Sequence, residues 1–386
     1  MISLTPGPVP MPDFVLRRLT EPVMHHRSVE FRDLFSELRR RLSLFFQTHQ
    51  PVIVLTGSGS GAMEAVSANL LHKGDAVLVI VNGAYGDQWA QINRSLGLNV
   101  ETLHCSDGAA VEAEGLRNQL KKRTYAAVFM QACETSTGVL NSLKLVRDVL
   151  GFESKTLLVV DGCSAVGAVD IPFETLGVDV LLTTSQKVLM SPAGLSFICL
   201  SERARQRCDD SNKGLYFNLL EELQAQTQQG MTRHTPATLT LAAVAEVLQR
   251  FEEDRELLTK YRERMVAMGN YCHRITEIIG GQNFSQSPSP TITVLKVPTG
   301  LNSSAIRNQM HSKGVFVLGG FGAFSETLIR VGHMGAIRNQ DLERFAMSLV
   351  ESVFELKKQD ISKSSRDLVR TYLKDVGPDI WTTSKA

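Results

Sequence analysis

The chain has 386 residues, 43% of them hydrophobic and 21% charged, with a formal net charge of +1. That length provides for a large core and two or three domains' worth of chain. A charge so near zero leaves no footprint for nucleic acid or an anionic membrane, and no apolar run is long enough to span a bilayer.

Taken in chain order, the N-terminal stretch Met1-Ile2-Ser3-Leu4-Thr5-Pro6-Gly7-Pro8 lacks the basic and apolar regions of a secretion signal. The six cysteines (105, 133, 163, 199, 208 and 272) include no CxxC pair, and several fall in apolar runs where a free thiol behaves as a small hydrophobe. A reducing, cytoplasmic location is the expectation. Through the first two-thirds, strands are predicted over 52–55, 76–81, 126–130, 156–160, 178–183 and 195–200, with amphipathic helices over 61–71, 87–96, 112–121 and 141–150. Continuous apolar strands separated by helices predict an α/β fold with a mostly parallel sheet covered on both faces. The strand at 195–200 follows its predecessor across a short turn, which suits an antiparallel partner.

One long, charge-rich helix is expected from Leu239 to about Ile279, linking two domains. Residues 285–290 form a loop, followed by a strand at 291–297, a helix at 303–312, strands at 314–318 and 328–331, and a closing helix from Asn339. The expected division is an N-terminal arm (1–20), a large cofactor-binding domain (21–250), a small α+β C-terminal domain (251–357) and an extra tail (358–386). The tail holds a helical stretch at 365–374 and no readable function.

Three features carry chemistry. Val52-Ile53-Val54-Leu55-Thr56-Gly57-Ser58-Gly59-Ser60-Gly61-Ala62 is a strand, a Gly/Ser turn and a helix start. Backbone amides there, with the Ser58 and Ser60 hydroxyls, can bind a phosphate dianion. Gly57-x-Gly59 with Ala62 also meets a loose dinucleotide fingerprint, which requires an acid at the end of the next strand. That strand ends in Val81-Asn82-Gly83-Ala84-Tyr85 without one, so the dinucleotide reading is the weaker.

Lys187 closes the run Leu181-Leu182-Thr183-Thr184-Ser185-Gln186-Lys187, and Asp161 closes Leu157-Leu158-Val159-Val160-Asp161. A lone ammonium at the end of a buried strand is disfavoured by desolvation, and the same shift makes the amine a better nucleophile. A purely structural ion pair would account for Lys187 alone. With Asp161 and the phosphate loop, the set fits pyridoxal 5′-phosphate (PLP): the Lys attached to C4′ as an imine, the Asp holding the pyridine nitrogen protonated.

Thr56–Ala65, Asn82-Gly83-Ala84-Tyr85-Gly86, Glu134-Thr135-Ser136-Thr137-Gly138, Asp161-Gly162 and Ser185-Gln186-Lys187 together resemble the class V aminotransferases of PLP fold type I. The nearest branch is the alanine–glyoxylate/serine–pyruvate type, including bacterial proteins labelled as a small subunit of soluble hydrogenase. The resemblance runs from Leu4 to about residue 357. It implies a seven-stranded-type sheet in the large domain and assigns Ser58, Gly59, Ser60 and Gln186 to the phosphate. Tyr85 takes the place of the aromatic that stacks on the ring, and Ser136 that of a hydroxyl near the ring O3′. A half-buried turn tyrosine and a helix N-cap are the plainer readings of those two residues. Arg330, in Leu328-Ile329-Arg330-Val331-Gly332, matches the family's substrate-carboxylate arginine, and the resemblance places the Gly7 segment near the substrate. The resemblance also assigns Thr235 to the phosphate of the neighbouring subunit, which implies a homodimer with shared active sites.

His25 and His26 lack a third ligand at metal spacing and suit dimer or substrate contacts, so no metal is expected. Ala132 stands where many relatives carry His, and Thr232 where the animal enzymes carry Tyr; both positions border the cofactor or substrate. The function implied is transfer of an amino group from a small amino acid, of alanine or serine type, to a 2-oxo acid such as glyoxylate or pyruvate. The alternatives are a PLP-dependent lyase, a desulfurase-like or specialised biosynthetic enzyme on the same scaffold, and a non-catalytic complex subunit. A desulfurase normally shows a stacking His at position 85 and a mobile Cys loop, neither of which is evident.

Overall fold

The computed structural model describes residues 1–208 and 214–381. Seven strands, β1 (Val52–Thr56), β2 (Ala76–Val81), β3 (Asn99–His104), β4 (Ala127–Gln131), β5 (Leu157–Asp161), β6 (Val180–Thr184) and β7 (Leu195–Leu200), form one sheet in the order β1-β7-β6-β5-β4-β2-β3. β7 runs antiparallel to both of its neighbours, and the other pairings are parallel. The apolar runs are buried on both faces as their composition requires. Val52, Val54, Leu158 and Val160 join one core, whereas Ile53, Leu55, Leu157 and Val159 join the other. β3 was not anticipated: Asn99-Val100-Glu101-Thr102-Leu103-His104 is an edge strand, half-exposed and largely polar, so it lacks the apolar run that marks the others.

A helix that the pattern search missed, α1 (Val29–Phe45), is capped by the Ser28 hydroxyl and buries Phe31, Phe35, Leu38, Leu42 and Phe45 along one stripe. The expected long helix at 239–279 is instead two, α2 (Thr238–Glu253) and α3 (Leu257–Ile278). Asp254 breaks it. Its backbone is extended, its carboxylate accepts from Glu256 N at 3.0 Å, and its carbonyl accepts from Leu257 N at 3.0 Å. Among the described residues, no helix is long and apolar enough to cross a membrane.

A second, antiparallel sheet follows, built from β8 (Gln282–Asn283), β9 (Ile292–Lys296), β10 (Leu318–Gly319) and β11 (Leu328–Gly332) in the order β8-β9-β11-β10. The strand expected at 314–318 is divided: Val315–Phe316 pairs in parallel with Ile2–Ser3, and β10 edges the small sheet. The helices Ser303–Ser312 and Asn339–Leu356 begin where their patterns predict.

Both ends of the described chain are tied down. Residues 2–10 form a strap: Gly332 N donates to Leu4 O (2.8 Å), Val9 N to Gln186 O (3.2 Å) and Ala336 N to Pro10 O (2.9 Å). After the helix Lys363–Leu373, residues 377–381 return to the body. There Arg264, only 4% exposed, donates to Pro378 O (2.8 Å), Asn339 Oδ1 (2.9 Å) and Asp379 Oδ1 (2.8 Å), and Asp379 also accepts from Asn339 N (2.8 Å). The Trp381 ring packs edge-on against Tyr261 (5.0 Å) and near Phe14 (6.2 Å).

Candidate active site

The parallel strands end at one edge of the large sheet, where crevices form in open α/β sheets. Asp161 ends β5, Thr184 ends β6 just before Gln186 and Lys187, and β1 leads through Gly57 and Ser58 into the helix Gly59–Leu70. Tyr85 lies in the first turn of Ala84–Ser95, after β2. These ends enclose a cavity of about 220 Å³ lined by Gly7, Ser58, Gly59, Ser60, Tyr85, Thr135, Asp161, Cys163, Thr184, Gln186 and Lys187 among others.

Inside it, the Lys187 Nζ donates to Pro6 O at 2.5 Å. Burial lowers its pKa, while Cys163 and Asp161 pull it back up. Asp161 is 6% exposed and accepts from Cys163 N at 2.8 Å; burial raises its pKa, against the pull of Cys163 and Lys187. The pair therefore presents an amine inclined to be neutral, and so nucleophilic, beside a carboxylate that gains from a cationic partner. Gly7, with φ +134°, crosses directly over the lysine: a Cβ there would stand 2.6 Å from Nζ and in strained backbone, so any other residue would displace the amine.

At the opposite wall the Ser58 hydroxyl caps its helix, accepting from Gly61 N at 3.2 Å, and Ser60 Oγ accepts from Gln88 Nε2 at 3.1 Å. The first-turn N–H groups of Gly59 and Ser60 have no intrahelical acceptor. Thr184 Oγ1 and Gln186 Oε1 are buried without a hydrogen-bond partner among the described residues. A helix N-terminus, three hydroxyls and an amide with unused capacity form an anion cradle. With a carboxylate and an amine across the same cavity, the donor set suits the phosphate, ring nitrogen and aldehyde carbon of PLP.

Ser136 is not in this cavity. Its hydroxyl donates to Glu134 Oε1 (2.6 Å) and accepts from Ala84 N (2.8 Å), and it lines a separate cavity of about 490 Å³. The motif turns so that Thr135 lines the first cavity, while Ser136, expected near O3′, caps the helix that carries Tyr85. Glu134, fully buried, organises that turn. Its carboxylate accepts from Tyr85 N and Gly86 N (both 3.1 Å) and from Ser136 N (3.0 Å) as well as the Ser136 hydroxyl. Burial pushes this carboxyl up to about 7, against those donors.

Arg330, in β11 and 5% exposed, lies just behind the cavity wall. Its Nε donates to Gly319 O (2.7 Å), its Nη1 reaches Thr135 O (3.4 Å), and it lies against the Tyr85 hydroxyl. The Phe321 ring covers the guanidinium at 4.4 Å and meets Tyr85 edge-on at 6.1 Å. Thr235 is exposed and outside this cavity, next to the segment whose Ala237 N donates to Thr56 Oγ1 (3.3 Å). Sequence reasoning missed Thr135, Cys163, Thr184 and Phe321. Only the first three carried a signal, being neighbours of residues already singled out.

The family model for aminotransferase class V matches residues 16–338. The chain is 28% identical over 371 residues to the soluble hydrogenase 42 kDa subunit of Anabaena cylindrica, covering 95% of this chain and 96% of the relative. Among solved structures it resembles a subgroup IV aspartate aminotransferase from Thermus thermophilus, at 31% identity and a TM-score of 0.85 over 92% of this chain and 99% of that one. An alanine–glyoxylate aminotransferase from Nostoc sp. matches at 27% identity and a TM-score of 0.85, covering 91% and 94% of the two chains. The chain belongs to the class V aminotransferases, enzymes of the transferase type with PLP fold type I, and its cofactor is pyridoxal 5′-phosphate.

Proposed function

We propose that this protein moves an amino group from a small amino acid, of alanine or serine type, to a 2-oxo acid such as glyoxylate or pyruvate. The observation that carries this reading is the sequence of groups along one wall: the Lys187 amine, the Asp161 carboxylate and, behind Thr135 and Tyr85, the Arg330 guanidinium. Gly7 above the amine and the Tyr85–Phe321 contact beside the guanidinium leave little room for a long donor side chain. The name of the Nostoc relative supports alanine and glyoxylate as partners, and that of the Thermus relative puts aspartate in the donor screen.

In this reading Ser58, Gly59, Ser60 and Gln186 would hold the phosphate, Tyr85 would pack on the ring and Asp161 would pair with its nitrogen. When bound, PLP supplies an electron sink for the pair left when the donor's Cα–H breaks. Lys187 would hold the cofactor, and with a donor amine in its place its freed amine would take the proton that leaves the donor Cα. Arg330 grips the α-carboxylate with two parallel N–H groups, which fixes the direction of the Cα–H bond. Thr235, exposed in the single chain, completes the site of a second copy, so the working unit is a homodimer. The large and small sheets belong to two domains divided near residue 250.

The purified protein should absorb in the visible, lose that band on borohydride reduction with the label on Lys187, and react in half-reactions with alanine or serine. Label on a different lysine removes the central assignment. A best donor without an α-carboxylate removes the role of Arg330.

A further inference from the structure

Arg330 is gripped more closely than a carboxylate site requires. Two of its N–H groups are taken by Gly319 O and Thr135 O, and one face of the guanidinium is covered by Phe321. Phe321 itself is 43% exposed. A ring left that open to solvent is not in place for core packing. It lies in Gly319-Gly320-Phe321-Gly322, in extended backbone just before Gly322, whose φ is +52°. Its ring contacts are the Arg330 guanidinium and the edge of Tyr85.

The position of that contact matters. Tyr85 lines the cofactor cavity of about 220 Å³, and Phe321 lines the second cavity of about 490 Å³, which also holds Asn82, Asp87 and His104. The Tyr85–Phe321 pair is therefore part of the partition between a small space that reaches Lys187 and a larger one, of mixed lining, that does not. On the Arg330 side the ring keeps water from one face of the guanidinium, which strengthens an ion pair made at its edge.

We propose that Phe321 sets the size of the donor side chain and steadies Arg330 for the α-carboxylate; this rests on the reading of Arg330 given above. The ring closes the larger cavity to the donor while its face holds the guanidinium plane. Long, polar donor side chains are rejected by the partition and not by any missing complementarity beyond it, since Asp87, His104 and Asn82 would receive them.

Two substitutions separate the functions. Phe321→Ala removes both the bulk and the face, whereas Phe321→Leu keeps the bulk and removes the face. Single-turnover half-reactions of the holoenzyme should show Phe321→Ala raising the preference for glutamine over alanine, in kcat/KM, by about tenfold or more. Phe321→Leu should leave that ratio near the wild-type value. Both should weaken the binding of propionate, read from the visible band of the resting holoenzyme with no chemistry taking place, by about tenfold. An unchanged glutamine-to-alanine ratio in Phe321→Ala, with the cofactor still bound, overturns the size role. Unchanged propionate affinity in Phe321→Leu overturns the steadying role. If the wild type gives no half-reaction with any α-amino acid, the underlying function fails, and that outcome is distinct from both.

Discussion

Lys187 and Asp161 hang from neighbouring parallel strands buried on both faces, whereas Arg330 lies in a small antiparallel sheet beside a glycine-rich loop whose Phe321 is 43% exposed. The first region has no freedom to drift: its strands are clamped by neighbours and by two cores. The second can be re-tuned by a single loop residue without disturbing the sheet that bears the lysine. The difference teaches where to look for each property. On the proposed reading, chemistry common to all donors belongs to the strand ends of the large sheet, and choice among donors to the loop.

The sharpest test of that division is Lys187→Ala. It should abolish the borohydride-fixed label and lower turnover by about ten-thousandfold for every donor, since it removes both the attachment point and the proton carrier. Asp161→Asn should retain cofactor yet lose about a hundredfold or more, again irrespective of donor, because an amide cannot hold the ring nitrogen protonated. Steady-state turnover with alanine, serine and aspartate checks both, and a loss confined to one donor would break the comparison. Arg330→Lys should act selectively. Losing the bidentate fork should weaken α-amino acid donors roughly 10- to 100-fold, while amines without a carboxylate change little.

The smallest effect is expected at Glu134, which joins the two regions by holding the Tyr85 turn. Glu134→Gln turns a donor toward N–H groups that now meet oxygen and should lower stability by about 1–3 kcal/mol. Its native carboxyl value of about 7 lies above the ordinary 4.5. The folded state thus binds the proton more tightly, and this contribution is full below about pH 4.5 and lost as pH rises through 7. Melting temperatures of wild type and Glu134→Gln between pH 5 and 8 should converge as pH rises, and parallel curves would remove Glu134 from this role.

Much of the large sheet was legible because strands buried on both faces are written as unbroken apolar runs, and turns such as Gly57-Ser58 punctuate them. β3 was not, since an edge strand half in water has no such run. The break at Asp254 escaped because amphipathic spacing continues on both sides, and only the local carboxylate bond ends the helix. Lys187 and Asp161 were readable as charged residues closing apolar runs. Ser136 was placed by motif order, but motif order does not say which of two adjacent hydroxyl residues faces inward. That was decided by Glu134, which bonds the backbone and the hydroxyl of Ser136 together. Phe321 had no periodicity around it, and its significance comes from two partners distant in sequence.

The closing segment at 377–381 has a consequence for the order in which the enzyme can be completed. Trp381 leans on Tyr261, whose hydroxyl accepts from Gly335 N at 2.5 Å, in the turn whose next residue, Ala336, bonds Pro10. The arm that lays Pro6 and Gly7 over Lys187 is made long before most of the surfaces it docks on, at Gly314, Phe316, Gly332 and Ala336. A nascent chain can therefore fold its large sheet and cofactor cradle while the catalytic lysine still lies uncovered, open to any aldehyde it meets. The small sheet and its turn at Gly332–Ala336, buttressed by Tyr261 and Trp381, must form before the arm is seated, which makes that turn the lock on a door that the arm forms.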